Sequence, residues 1–335
     1  MADSSNTRNN EEHKPEGASA DPESPPISDA DIPAWLHERG IPGIVDLHVH
    51  FMPERVQAKV WDFFDHVSEH DPGAPPWPIA YRHPAQQRVQ ILRDMGVTAY
   101  TTLNYAHRPG MADWLNDFST EFAAAHPDAI HSGTFYPEPP GATRPDPTRP
   151  GGKAPVSARA SVASALEAGA QVFKVHVQVG DFDPADPLLD EAWDLLQQTA
   201  TPVVIHCGNG PHAGRFTGAE PIRRLLVRFP ELVLVIAHAG LPDYLEFARL
   251  AAEHPHVYLD TTMVGTDYMN ALAPLPADYP RVLAGLAGRV VLGSDFPTIP
   301  YPYSHQLQAL QRLGLGADWL RGVLWTTPRS LLGLD

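Results

Sequence analysis

From residue 43 onward, short apolar runs alternate with segments whose apolar positions recur at helical spacing. That alternation is the signature of repeated βα units. Eight runs read as strands: 43–49, 97–103, 129–135, 171–177, 202–206, 232–237, 256–261 and 290–294. Amphipathic stretches at 89–95, 112–125, 162–168, 188–199, 222–229 and 244–253 lie between them, with Gly or Pro near their ends, as in Met95-Gly96, Ala168-Gly169 and Phe229-Pro230. Eight strands with interleaved helices predict an α/β fold, a closed (β/α)8 TIM barrel. No Gly-x-Gly-x-x-Gly follows the first strand, so a dinucleotide-binding open sheet is unsupported.

Two connections exceed what a plain barrel needs. They are 51–85 after the first strand and 137–157 after the third, both rich in proline. Loops that follow barrel strands sit on the catalytic face, so both are expected to wall or cover a pocket. An extra helix near 317–332 is expected to close the chain. Residues 1–38 are rich in Ser, Asn, Glu, Asp and Pro and poor in apolar residues, which predicts a disordered acidic, proline-rich tail before a single barrel domain at 39–335.

Composition narrows the chemistry. A 335-residue chain with 43 % hydrophobic and 19 % charged residues can bury a large core and is not wholly disordered. No stretch approaches a membrane span and the start lacks a basic-then-apolar pattern, so a cytoplasmic location is expected. Cys207 is the only cysteine, which excludes intrachain disulfides and thiolate clusters and leaves nitrogen and oxygen ligands for any metal. The net charge of −16 argues against nucleic-acid or anionic-membrane surfaces. A small anionic substrate would need its own local cations.

Four of the predicted strands finish on metal-ligand residues: Asp46-Leu47-His48-Val49-His50, Val204-Ile205-His206, Ile236-Ala237-His238 and Gly293-Ser294-Asp295. His48 and His50 are two apart on a strand, so they share a face and can grip one cation. Asp46 shares that face one step deeper, in reach to orient a histidine as an acceptor. Taken singly, each histidine has an ordinary reading as a core residue satisfied by backbone, and Asp295 as a cap for the next helix. Jointly they fall on strands one, five, six and eight, and barrel closure makes strands one and eight neighbours. In the loop after the fifth strand, His212 and Arg215 are candidates to meet a substrate carboxylate. Arg82, His83, Tyr105 and His107 also follow strands, with nothing to fix their direction, while Trp61, Phe63, Phe64 and Trp77 suit an apolar lid or its packing.

These residues resemble the amidohydrolase superfamily, in its amidohydrolase family 2 branch, over about 41–334. The resemblance rests on Asp46-Leu47-His48-Val49-His50, Phe173-Lys174-Val175-His176, Val204-Ile205-His206, Ala237-His238-Ala239-Gly240 and Gly293-Ser294-Asp295-Phe296-Pro297. It implies one divalent metal, usually zinc with manganese also suited, held by His48, His50, His206 and Asp295, with Asp295 and His238 as the acid/base and carbonyl-polarising groups. Lys174, with His176 near it, corresponds to a second-metal or substrate position. There a carboxylated lysine would bridge two metals; the preferred reading is an ammonium for a substrate carboxylate, because this branch is mostly mononuclear. The implied reaction is hydrolysis of an ester, lactone or amide carbonyl in a small molecule. Non-oxidative decarboxylation of an aromatic or unsaturated acid is the alternative, and a non-catalytic ligand-binding barrel the second. A homodimer is compatible with the resemblance, though no sequence feature shows it.

Overall fold

The structure, a computed structural model, describes residues 24–70, 73–138, 156–210 and 212–334. Its strands are β1 Ile44–Asp46, β2 Val97–Thr101, β3 Ala129–Ile130, β4 Ser132–Thr134, β5 Val172–His176, β6 Val203–His206, β7 Leu234–Ile236, β8 Val257–Asp260 and β9 Val290–Val291. Every neighbouring pair is parallel, in the orders β1-β2-β3 and β4 through β9. Strands β3 and β4 are two halves of one stave interrupted at His131, so the predicted eight staves are present. At the break the Ser132 hydroxyl accepts the Thr102 amide, 3.0 Å away, taking the place of a strand carbonyl.

The first and last staves meet. Leu47 N donates to Leu292 O at 3.0 Å, Asp295 N to His48 O at 2.8 Å and His50 N to Phe296 O at 2.8 Å, and Val49 pairs with Phe296 in a parallel bridge. The sequence separation of these partners is why closure alone can unite the first and eighth strand ends.

Helices fill the connections: α1 Ile32–Glu38, α2 Glu54–Asp65, α3 Val67–His70, α4 Ala85–Asp94, α5 Ala112–Ala125, α6 Ala158–Glu167, α7 Val177–Gly180 and α8 Asp190–Gln198. They continue with α9 Ala219–Arg228, α10 Tyr244–Glu253, α11 Asp267–Leu272, α12 Tyr279–Gly285, α13 Tyr303–Arg312, α14 Ala317–Arg321 and α15 Thr327–Leu332. The period-2 alternation of each strand splits the core. Phe173 and Val175 join the large outer cluster beneath the helices, whereas Val172 joins Val45, Leu47, Val204, Val235 and Val291 in a smaller inner plug. Lys174 and His176 share the inner face with Val172, as His206 does with Val204, so their side chains stand above that plug. Leu332 of α15 belongs to the same inner cluster, and the C-terminal segment thus closes the barrel floor.

The predicted tail is corrected in part. Residues 24–38 are ordered: a 3-10 turn at Asp29–Asp31 is capped by Ser28 and leads into α1. Ile32, Trp35 and Leu36, at i, i+3 and i+4, form one buried face, and the Trp35 indole donates to Gln311 at 2.9 Å. Each such buried side chain contributes about 1.5–3 kcal/mol. Three apolar residues on one helical face suffice to dock a segment whose average composition is polar. Residues 1–23 lie outside the described residues, as do 139–155 in the second long connection. The first long connection contains α2 and α3 and is otherwise irregular among the described residues, and α13 is a helix the spacing did not predict. No helix among the described residues is long and apolar enough to cross a membrane.

Candidate metal centre

His48 and His50 are fixed through their Nδ1 atoms. His48 Nδ1 lies 2.8 Å from Asp260 Oδ2 at the end of β8 and 3.1 Å from Thr262 Oγ1. His50 Nδ1 lies 2.9 Å from Leu103 O. A carbonyl only accepts, so His50 must donate from Nδ1, and Nε2 of the neutral ring is then a lone pair. That lone pair faces Asp295 Oδ1 at 2.9 Å. Two acceptors so close require a cation or a second proton between them.

A divalent metal fits this demand. Among the described residues, the ligand atoms of His48, His50 and Asp295 all lie within 4.8 Å of one another. The donor set is nitrogen and oxygen, as the lone buried Cys207 required. Burial, reinforced by the Lys174 ammonium, pushes His48 down to about 3, so its ring is neutral at physiological pH. Burial opposes ionisation of Asp295, but the imidazole groups of His50, His48 and His238 around it outweigh that cost and hold the carboxyl below the usual range. Neutral imidazoles and an ionised carboxylate are the forms that bind a metal.

A belt of rings surrounds these three residues. His48 lies 5.1 Å from His50 and 5.2 Å from His238, which lies 4.7 Å from His206. His206 stacks on His176 at 3.9 Å, and Tyr105 bridges His176 and His50 at 5.1 and 6.0 Å. Burial pushes His176 and His206 well below the ordinary histidine value, with Lys174 and His238 adding to the effect. His176 Nδ1 accepts the Val179 amide at 3.3 Å, so that ring also caps α7. Burial, then the Asp295 charge, pushes the Tyr105 phenol up to about 12 and keeps it a neutral donor. Lys174 is buried with Nζ 3.0 Å from His48 Nε2; burial pushes its ammonium down to about 8, against the pull of Asp260 and Asp295.

Backbone geometry aims the three last stave ends. His238, Met263 and Asp295 have φ of 54°, 62° and 67°, a left-handed conformation that costs a side-chain-bearing residue energy and clusters at functional sites. The His238 amide donates to Asp260 Oδ1 at 2.7 Å, which helps hold that turn. Gly293 is required for a different reason: a Cβ there would lie 2.2 Å from Thr262 Oγ1 and 2.7 Å from His48 Cβ.

The fold therefore gathers His48, His50, Lys174, His176, His206, His238 and Asp295. His206 stands in the ring belt, outside the compact group of three. Asp46 takes a part different from the expected one. Its Oδ1 accepts the backbone amides of His48 (3.1 Å) and Ser294 (3.2 Å), and Oδ2 accepts the Tyr303 hydroxyl (2.8 Å). The carboxylate on the histidine ring is Asp260, which sequence reasoning missed; it ends the run Val257-Tyr258-Leu259-Asp260, the same signal that marked the other strand ends. His212 and Arg215 sit exposed in the loop after β6, with the Arg215 guanidinium 4.8 Å over the Phe216 ring and the His212 carbonyl accepting from Gln178. Arg82 pairs with Asp65. Of the lid candidates, Phe64 stacks on Trp77 at 4.9 Å, and the Trp77 indole donates to Thr298 O at 2.8 Å, joining α2 to the segment after β9.

No curated protein matches the sequence. Solved structures match in fold. An uncharacterized TIM-barrel protein from Bordetella bronchiseptica is 21 % identical with a TM-score of 0.61, covering 87 % of this chain and 98 % of its own. The 5-carboxyvanillate decarboxylase LigW from Sphingomonas paucimobilis is 14 % identical, TM-score 0.53, over 87 % and 99 %. A probable 2-pyrone-4,6-dicarboxylic acid hydrolase from Acinetobacter baumannii, solved with citric acid, is 14 % identical, TM-score 0.52, over 87 % and 99 %. At these identities the likeness speaks to the barrel alone. The family profile described as amidohydrolase matches residues 45–334, from within β1 to the end of the described chain, and so the protein belongs to the amidohydrolase family.

Proposed function

We propose that this enzyme is a metal-dependent hydrolase that adds water to the ester, lactone or amide carbonyl of a small carboxylate-bearing molecule. The observation that carries the reading is the contact between His50 Nε2 and Asp295 Oδ1, two acceptors at 2.9 Å with His48 Nε2 3.7 Å from the same oxygen. His48, His50 and Asp295, joined by His206, would hold one divalent ion, with zinc preferred and manganese also suited to nitrogen and oxygen donors. Such an ion supplies acidified water and a polarised carbonyl.

The chain's own groups do the rest. Asp295, held ionised, takes the proton of the attacking water at its carboxylate and returns it to the leaving group. His238, whose ring burial favours the neutral form, donates a hydrogen bond to the oxygen on which charge develops. A single lone pair on His48 Nε2 cannot serve both Lys174 and a metal, so loading the centre frees the Lys174 ammonium for a substrate carboxylate. Tyr105 is a neutral donor beside the same space.

The test is a screen of metal-loaded protein against lactones, esters, amides and aromatic carboxylates, following acid release and carbon dioxide together. Acid release from a carboxylate-bearing lactone, ester or amide is the expected result. Carbon dioxide without hydrolysis refutes the reading in favour of a decarboxylase, and no bound metal refutes both.

A further inference from the structure

Helix α13 begins after Pro302 and has no side-chain cap from its own segment. The N-terminal segment supplies one. Asp29 Oδ1 accepts the Ser304 amide at 2.8 Å, and the other oxygen accepts the Tyr81 hydroxyl. The Tyr81 oxygen in turn accepts the Tyr303 amide at 2.5 Å. Gln308, further along α13, donates to Pro26 O at 2.7 Å, a second tie between the same two segments.

With the start of α13 held, the fully buried Tyr303 side chain donates to Asp46 Oδ2 at 2.8 Å. The other Asp46 oxygen accepts the amides of His48 and Ser294. One carboxylate thereby clamps the end of the first stave at His48 to the end of the last stave beside Asp295. The Tyr81 ring packs against Phe296, immediately after Asp295, at 4.7 Å. We propose that Asp29, Tyr81 and Tyr303 are positioning residues for the metal centre, a hydrogen-bonded relay that sets the spacing of His48 and Asp295 through Asp46. The proposal rests on the metal assignment above. Its physical basis is that the relay ends on backbone amides of two staves whose lateral spacing fixes the separation of the ligands they carry.

The experiment compares wild type with Tyr303→Phe, Tyr81→Phe and Asp29→Asn. Zinc affinity is measured by chelator competition well below the melting temperature, with the visible spectrum of cobalt-loaded protein and the thermal midpoint recorded in parallel. The expected loss of affinity is several-fold, with the roughly 10- to 100-fold typical of direct partners of metal ligands as its upper limit, and a shifted cobalt spectrum. Tyr303→Phe combined with Asp29→Asn should lose less than the product of the two single losses, because both break one chain. A lowered thermal midpoint with unchanged zinc affinity and cobalt spectrum reduces the relay to a structural brace and overturns the proposal. Should Tyr303→Phe fail to fold, Asp29→Asn at the outer end decides alone: weakened zinc binding supports the relay and unchanged binding overturns it. His50→Ala is the control for the metal assignment; wild-type zinc affinity in that variant overturns the assignment itself, and the relay's purpose with it.

Discussion

Asp260→Asn is the most discriminating substitution at the centre, because it keeps the shape of the side chain and changes one acceptor into a donor. In the wild type, Asp260 Oδ2 faces His48 Nδ1 at 2.8 Å, while Oδ1 accepts the amides of His238 at 2.7 Å and Thr262 at 3.0 Å. The two amides compel the asparagine oxygen to stay on their side. Its NH2 group is then left against His48 Nδ1, where two donors meet unless the ring changes tautomer. The flipped tautomer carries its proton on Nε2, the atom that faces Lys174 and Asp295, and loses the lone pair a metal needs. Loss of such an outer partner weakens metal binding roughly 10- to 100-fold, about 1.4–2.8 kcal/mol. Folding should change little in Asp260→Asn. In Asp260→Ala the His238 and Thr262 amides are also orphaned, at about 1–3 kcal/mol each. Chelator competition gives the metal affinity and urea unfolding of metal-free protein gives the stability. Wild-type zinc affinity in Asp260→Asn would refute the tautomer argument.

Three further outcomes are expected. Asp295→Asn should still fold, with a cooperative urea transition, and lose turnover; a metal-loaded, active variant removes Asp295 from the proton-transfer role. Gly293→Ala places a methyl group 2.2 Å from Thr262 Oγ1 and 2.7 Å from His48 Cβ, so stability should fall by about 1–3 kcal/mol in urea unfolding, and a neutral effect would contradict the packing of β9 on the centre. The paired hydrogen bonds from Arg93, at 2.7 and 2.8 Å, hold the Asp128 carboxyl below the usual range against the opposing effect of burial. A lowered folded value means this pair stabilises above the unfolded pKa of about 3.9, and its contribution is lost as pH falls through the lowered value. Arg93 is substantially exposed, so the contribution is below about 1 kcal/mol; comparing urea midpoints of wild type and Arg93→Met at pH 6 and pH 2.5 should show a gap at pH 6 that narrows at pH 2.5, and a gap that does not narrow would refute the pairing.

Much of the barrel is written locally. A strand's apolar run and a helix's spacing depend on neighbours within a few residues, which is why all eight staves and α10, at Tyr244–Glu253, were foreseeable from pattern alone. The histidines were legible for the same reason, since a run that ends in a ligand residue is visible without knowing its neighbours. The part of Asp260 was not, although it ends a run of the same kind, because its meaning lies in a partner 212 positions away, His48 Nδ1. Asp46 shows the converse: its place on the His48 side of the strand was readable, but whether its oxygens met a ring or backbone amides depended on how β1 lies against the segment after β9. The segment 24–38 read as a polar tail because composition averages over residues, whereas docking needs only Ile32, Trp35 and Leu36 on one face and a surface to receive them. That surface includes Gln311 of α13, which accepts the Trp35 indole, and the turn at Gly96 beside Leu36, and no local pattern encodes it. The sequence therefore carries the list of staves and most of the chemically able side chains, because those follow from short-range periodicity. Which nitrogen faces which oxygen is settled only by closure of the barrel, which sets residues hundreds of positions apart within a hydrogen bond of each other.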